Sequence, residues 1–427
     1  MKKSSQNQSV NATPPEIPEQ VSVAMAEIVE NMQEGLLSLA VGAGLQVMQA
    51  MMDADVTMLA GPKGRHDAQR TAVRHGRERG SVTLGGRRVP VTRPRARAAD
   101  GSGEFPVPSY ELFTSTEILG KMAMEKMLAG LSTRRYPVGL EPVGRKVTET
   151  SSATSRSAVS RKFVAMTETA LDELLSRDLS GLDLVAIMID GVHFADTCCV
   201  VALGIDSDGT KHPLAVVDGG SENTTTVTAL LVGLRERGLD VARPVLVGID
   251  GSRALRKAVD EVFDHPIVQR CQLHKIRNVK DRLPQKLRTT VGRKMAQAYH
   301  ADSVVEAEAM LENLACELER AHPGAAASLR EGLSETLTVL RLGVPPTLAR
   351  TLRSTNAIES MISVRRDHSR NVKRWRDSRM ALRWCAAGLV EAGTKFRRVN
   401  GHLHLPALRA ALDREAMVVH TDRVSAA

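Results

Sequence analysis

Two segments of the sequence repeat one pattern, an apolar run closed by Asp-Gly, at Val185–Gly191 and again at Val245–Gly251. Each run has the length and the aliphatic content of a buried β-strand, and glycine after the aspartate permits a sharp turn. Asp190 and Asp250 are therefore expected at the C-terminal tips of two strands. A carboxylate in such a place is costly unless it is paired or bound to a metal ion. If the two strands are neighbours, the acids converge and can share divalent cations. Phosphoryl transfer by two metals holds them about 4 Å apart, and a pair of carboxylates rarely fills both coordination shells. A third acid is needed, and Glu359 is the candidate. Thr355 can cap its helix, while Asn356 and Glu359, three residues apart, share one helical face. Glu222 is the rival for this place, and the bland reading of each Asp is a turn residue.

The elements that must position these acids follow from periodicity. Strands are predicted at Leu184–Asp190, Thr197–Ile205, His212–Asp218, Val245–Asp250 and Ile267–Cys271, with helices over Asn223–Gly238, Arg253–Val262 and Gln272–Leu283. Three strands in a meander, then a helix and a further strand, is the order of an RNase H-like sheet. In that order the first and fourth strands lie side by side and parallel, which would bring Asp190 to Asp250. From Pro284 to about Leu342 the chain is helical and charged, without strand candidates, and reads as an all-helical insertion. Thr355–Ala392 is helical again. Upstream, Val21–Leu59 has helical spacing, and Ser81–Thr92 resembles a hairpin turning at Gly85-Gly86. A linker is expected after Arg95. Helices at Ser115–Leu131, near Pro142 and at Ser152–Leu175, joined by short turns, look like a helix-turn-helix unit. Its last helix would offer Arg156 and Arg161 to DNA. The expected organisation is a disordered start over 1–20, a basic region over 21–110 and a helical DNA-binding region over 111–180. An α/β catalytic core over 181–283 and 351–396 would be split by the helical insertion over 284–350, with a weakly patterned tail over 397–427.

The chain has 427 residues and a formal net charge of +9, and only 3% of it is aromatic. That length holds several domains with ample core, and the charge favours an acidic partner, nucleic acid first. The basic residues cluster, with eight Arg and Lys side chains crowding 365–383 and more between Lys63 and Arg97 against only Asp67 and Glu78. Arg366, Arg370, Lys373, Arg374 and Arg376 are candidate phosphate contacts. The two tryptophans, Trp375 and Trp384, lie in the same stretch. At about 100° per residue a continuous helix would point them to opposite sides, one into the core and Trp375 toward an unpaired base. No apolar stretch reaches membrane-spanning length, and the start lacks the apolar core of a signal peptide. Five cysteines without Cys-x-x-Cys spacing suit a reducing cytoplasm. Cys271 and His274 have half the spacing of a structural zinc site, but His265 and His300 supplement them irregularly. A packed thiol and a histidine near the active site are the simpler reading.

Asp190-Gly191, Asp250-Gly251, the run Gln269–Asn278 with its Cys271 and His274, and the Thr-Asn-Ala-Ile-Glu leading to Glu359 occur in an order that resembles the Mutator-like transposases of bacterial insertion sequences. Ser221-Glu222-Asn223 and Arg235–Gly238 share the likeness, which spans about Ser115 to Trp384. The resemblance implies a DDE-type, RNase H-like catalytic domain in which Asp190, Asp250 and Glu359 bind two Mg²⁺ ions, with Mn²⁺ able to substitute. It also implies cleavage at transposon ends by water, followed by attack of the freed 3′-OH on target DNA, and places His274, Cys271 and Asn356 as active-site support. The partners implied are double-stranded DNA (inverted repeats and target) and further copies of the chain, at least a dimer, on the nucleoid in the cytoplasm. An RNase H-like nuclease or junction resolvase would share the carboxylates, and a transposase-derived DNA-binding regulator would share the scaffold without the activity.

Overall fold

The computed structural model describes residues 36–425 except 66, 68, 85, 115, 141–142, 154, 195–196 and 220–222. The chain divides into two compact units, one of residues 1–123 and 133–162, the other of 124–132 and 163–427. In the first, Met48, Met52, Val56 and Ala60 recur every fourth residue and form a buried stripe along helix α1 (Leu36–Ala60). Residues 21–35 of the predicted helix lie outside the described residues. The stripe packs on an antiparallel hairpin of β1 (Ala72–Leu84) and β2 (Arg87–Ala98), against Val82, Val89 and Ala96. Leu84 pairs with Arg87, so the chain reverses between them, with Gly86 at φ 78°; Gly85 lies outside the described residues. The strands outrun the predicted Ser81–Thr92 because cross-strand ion pairs extend the ladder. Arg93 and Arg95 both pair with Glu78 and Glu104. Part of the expected linker is therefore structured: Glu104–Phe105 forms β3 on the edge of β2.

Further on come α2 (Pro108–Thr114), α3 (Thr116–Leu128), α4 (Arg145–Thr150), β4 (Ser152–Ala153) and α5 (Arg156–Ser176). The third helix of the region thus starts later than Ser152, because Ser152 and Ala153 pair instead with Arg88 and Arg87 of β2.

The second unit is built on five strands: β5 (Leu184–Phe194), β6 (Thr197–Asp206), β7 (Lys211–Asp218), β8 (Val245–Ile249) and β9 (Pro266–Arg270). Their order is β7-β6-β5-β8-β9; β5, β6 and β7 are antiparallel, while β8 runs parallel to both β5 and β9. These strands are apolar on both faces because helices cover both. Ile187, Ile189, Val247 and Ile249 pack beneath α6 (Thr224–Glu236) and α7 (Arg253–Val262). Ala186, Met188, Val192 and Phe194 face the other way, onto a cluster holding Ile358, Met361, Cys385 and Leu408.

Beyond β9, α8 (Gln272–Asp281) leads into α9 (Gln285–Ala298), α10 (Val304–Glu319), α11 (Pro323–Arg330), α12 (Leu333–Thr336) and α13 (Thr338–Arg341). These helices enclose an apolar core of their own around Met295, Leu311 and Leu314. They dock on the edge strand β9, where Thr338 Oγ1 donates to Val268 O (2.7 Å) and Gln269 Nε2 donates to Thr336 O (2.9 Å). Helix α14 (Pro346–Leu352) precedes α15 (Asn356–Ser369) and α16 (Ser378–Thr394). The continuous helix predicted over Thr355–Ala392 is interrupted at 370–377, where Asp377 caps α16 by accepting from Met380 N at 2.7 Å. Within 397–427, expected as a weakly patterned tail, the chain forms helix α17 (Leu405–Ser425). Its Leu405, Leu408 and Leu412 are fully buried in the sheet's core. Arg409 ties α17 to the strands by donating to Pro244 O at 2.7 Å and to Asp183 at 2.9 Å.

Candidate active site

Met188 of β5 is level with Gly248 of the parallel strand β8. Asp190 and Asp250 lie two residues beyond this pair, so the register sets them at the same height and on the same side of the sheet. That side is the one covered by α15. Ile358, Met361 and Ile362 seat α15 on the sheet, and Glu359 in its first turn is carried to the two aspartates. The three acids act on one another: burial, the charge of Asp250 and that of Glu359 push the Asp190 carboxyl up to about 6, against hydrogen bonding from Gly191 N and the pull of His274.

The two Asp-Gly pairs differ in structure. Gly251 sits at φ 103°, and Asp250 Oδ1 accepts from Ser252 N at 2.8 Å in a turn that opens α7. Asp190, by contrast, does not end its strand. β5 continues to Phe194, Asp190 pairs with Val201 and Gly191 with Val200. What ends at that point is the parallel pairing with β8, and there the sheet opens around the carboxylates.

Cys271 caps α8 and joins three chain segments. Its N–H donates to Ile249 O at the end of β8 (2.8 Å), and the next N–H, of Gln272, donates to Arg353 O (3.0 Å). Its sulfur accepts from the N–H of Thr355 at 3.4 Å, and Thr355 Oγ1 lies at the same distance from it. Thr355 Oγ1 also donates to Glu359 Oε1 at 2.8 Å. The carboxylate is thus aimed by a threonine that is itself fixed to the strand ends. Burial pushes the Cys271 thiol up, but hydrogen bonds from His274 and Thr355 bring it net below its ordinary range. The same bond to Cys271, aided by the charges of Glu359 and Asp190, raises His274 despite its burial. Asn356 opens α15 with its side chain exposed.

Sequence reasoning gave Thr355 only a capping role and passed over Arg270. Arg270 is mostly buried, pairs with Glu335 of α12 and reaches Gly251 O at 3.4 Å, bracing the Asp250 turn from the helical insertion. The signal was a charged residue closing a short strand that is otherwise uncharged, Pro266–Arg270. The rival acid Glu222 lies outside the described residues.

The two tryptophans are brought together, not apart. Because residues 370–377 leave the helix, Trp375 meets Trp384 edge-on at 6.3 Å and Phe194 at 4.7 Å, while Trp384 tilts on Phe163 at 4.6 Å. Trp375 is partly buried in this cluster. In the same stretch of sequence Arg366, Arg370, Lys373, Arg374 and Arg376 are exposed. In the first unit, Arg156 and Arg161 are exposed on the first turns of α5.

Among the described residues neither Asp190 nor Asp250 has an arginine or lysine ion pair. A set of mostly buried carboxylates without such compensation is a donor set suited to hard divalent cations. No helix among the described residues is long and apolar enough to cross a membrane.

A profile described as "Transposase, Mutator family" matches residues 19–398. Over 256 residues the chain is 30% identical to the transposase for insertion sequence element IS6120 of Mycolicibacterium smegmatis, spanning 58% of this chain and 76% of that protein. It is 26% identical over 394 residues to the transposase for insertion sequence element ISRM5 of Rhizobium meliloti (strain 1021), spanning 91% of this chain and 95% of the relative. With a match that runs through both aspartates, the Cys271–His274 turn and Glu359, the chain belongs to the Mutator family of transposases.

Proposed function

We propose that this transposase is a DDE-type enzyme with an RNase H-like catalytic core, cutting the ends of its own element and joining the freed 3′-OH to target DNA. The observation that carries this reading is the convergence of Asp190, Asp250 and Glu359 from two parallel neighbouring strands and one helix, where burial first and then the charges of Asp250 and Glu359 raise the Asp190 carboxyl. The strand order β7-β6-β5-β8-β9, with one antiparallel half and one parallel half, supports the RNase H-like assignment. Asp190, Asp250 and Glu359 would hold Mg²⁺, or Mn²⁺ in its place. The bound ions supply Lewis-acid activation of the attacking oxygen and charge stabilisation at the leaving oxygen. The chain itself fixes the carboxylates before substrate arrives. Thr355 orients Glu359, Ser252 N orients Asp250 and Gly191 N orients Asp190, so little reorganisation is left for the reacting complex. His274 lies within 3.8 Å of Glu359 and is placed to orient that acid or meet a DNA phosphate.

The exposed arginines and lysine of 366–376 are assigned to the DNA backbone, and the helices between 116 and 176 to a helix-turn-helix contact through Arg156 and Arg161. Synapsis of two ends calls for at least a dimer, working in the cytoplasm on the nucleoid. The test uses a duplex ending in the element's own terminal repeat. Asp190→Asn, Asp250→Asn and Glu359→Gln should each lower Mg²⁺-dependent cleavage by about a thousandfold or more while the duplex is still bound. Cleavage without joined product would favour a nuclease or resolvase. Binding without any cleavage by the wild type would favour a regulator.

A further inference from the structure

Glu359 belongs to two clusters at once. On one side are Asp190 and Asp250, both oxygen donors. On the other are Cys271 and His274, and one ligand atom from each of Cys271, His274 and Glu359 lies within 4.8 Å of the other two. His274 Nδ1 is 3.8 Å from Glu359 Oε1. The three share a centre, because a single hydroxyl reaches them all. Thr355 Oγ1 is 2.8 Å from Glu359 Oε1, 3.4 Å from His274 Nδ1 and 3.4 Å from Cys271 Sγ.

Tetrahedral zinc, with bonds of about 2.0–2.3 Å, needs ligand atoms about 3.3–3.8 Å apart. Here the ligand atoms lie within 4.8 Å of one another, so binding draws them together by up to about 1.5 Å, and a turn of Thr355 about its Cα–Cβ bond vacates the middle. The donors are held by backbone that does not need to move, since Cys271 N is tied to Ile249 O and Gln272 N to Arg353 O. Sulfur and imidazole favour zinc-like ions over magnesium, and a fourth position stays open for water. This set was invisible as a motif, because Cys271 and His274 are near each other in sequence but the third donor is far along the chain.

We propose that Cys271, His274 and Glu359 form a second metal site, selective for a thiophilic divalent cation such as Zn²⁺, and that its occupation withdraws Glu359 from Asp190 and Asp250 and arrests the enzyme. The site is a ligand set in its own right. Only its inhibitory consequence rests on the reading of Glu359 as a catalytic acid.

The probe is Co²⁺ titrated into the full-length metal-free protein. A thiolate-to-cobalt charge-transfer band should rise to one equivalent, vanish on addition of Zn²⁺ and withstand millimolar Mg²⁺. Cys271→Ser should abolish the band, whereas Cys316→Ser, at an exposed thiol elsewhere, should keep it. Glu359→Gln should weaken Co²⁺ by about tenfold or more, the usual cost of disturbing a metal's ligand shell. An absent band, a band that survives Cys271→Ser, or unchanged affinity in Glu359→Gln overturns the site. In the cleavage assay a slight excess of Zn²⁺ should slow the Mg²⁺-supported wild-type rate by about tenfold or more, as expected when a soft-ligand site outcompetes a hard one; an unchanged rate overturns the inhibition. Asp250→Asn separates the two readings, since it should lose cleavage and keep the cobalt band.

Discussion

Asp190 is the residue at which folding and its proposed role pull in opposite directions. Its carboxyl is raised from 3.8 to about 6 by burial first and the charge of Asp250 second. For a raised acid the associated stability is fully present below the unfolded value and is lost as pH rises through the folded one. The metal-free protein should therefore lose stability from this group between pH 3.8 and about 6 and remain weakened above that. Asp190→Asn, neutral throughout, is expected to be neutral near the acid end and stabilising by up to about 3 kcal/mol at slightly alkaline pH. Thermal melts of metal-free wild type and variant across that range check the sign. Addition of Mg²⁺ should raise the wild-type midpoint and leave the variant's unchanged. At this scale the sequence pointed to Asp190, Asp250 and Glu359 as candidates, because Asp-Gly after an apolar run and a capped helix are local patterns. The orienting part played by Thr355 and the bracing by Arg270 were not legible because they are set by partners remote in sequence, Cys271 for one and Glu335 for the other.

Among the elements, the matched Asp-Gly pairs are a sequence repeat but not a structural one. Gly251 has a left-handed backbone at φ 103°, braced by Arg270, whereas Gly191 is extended and paired with Val200 inside β5. Gly251→Ala should cost about 1–2 kcal/mol from backbone strain, and Gly191→Ala distinctly less, as read from denaturant midpoints. Glycine in a turn and glycine in a strand look alike in sequence, and only pairing to β6 tells them apart. Helix α17 is the other element that patterning missed, since its weak amphipathicity hides the fact that Leu405, Leu408 and Leu412 are fully buried. Leu408→Ala should destabilise by about 2–5 kcal/mol. A chain ending before Leu405 should fail to give a cooperative melt, and one that still melts cooperatively would show α17 to be dispensable to the sheet. The broken helix at 370–377 had the opposite effect, joining two tryptophans that a continuous helix would have separated.

For the whole molecule, a net charge of +9 predicts tight, salt-sensitive DNA binding, and the exposed cations of 366–376, at the end of the helix that carries Glu359 and in the segment after it, are one source. Replacing Lys373 and Arg374 together with alanine should weaken DNA binding evenly across sequences and reduce the salt slope by about 2, since each cation neutralises one phosphate. An unchanged slope in a binding titration would move the DNA to another face. The residue types of the site, the alternation of strands and helices from 184 to 283 and the all-helical stretch after Pro284 were readable from the sequence, because hydrophobic period and turn chemistry are encoded locally. The tertiary structure alone decided that Asp190 and Asp250 stand level, that both face α15, and that Cys271, Thr355 and His274 meet at Glu359. Those facts depend on strand register and on hydrogen bonds between segments far apart in the chain, and neither leaves a periodic trace in the residues that make them.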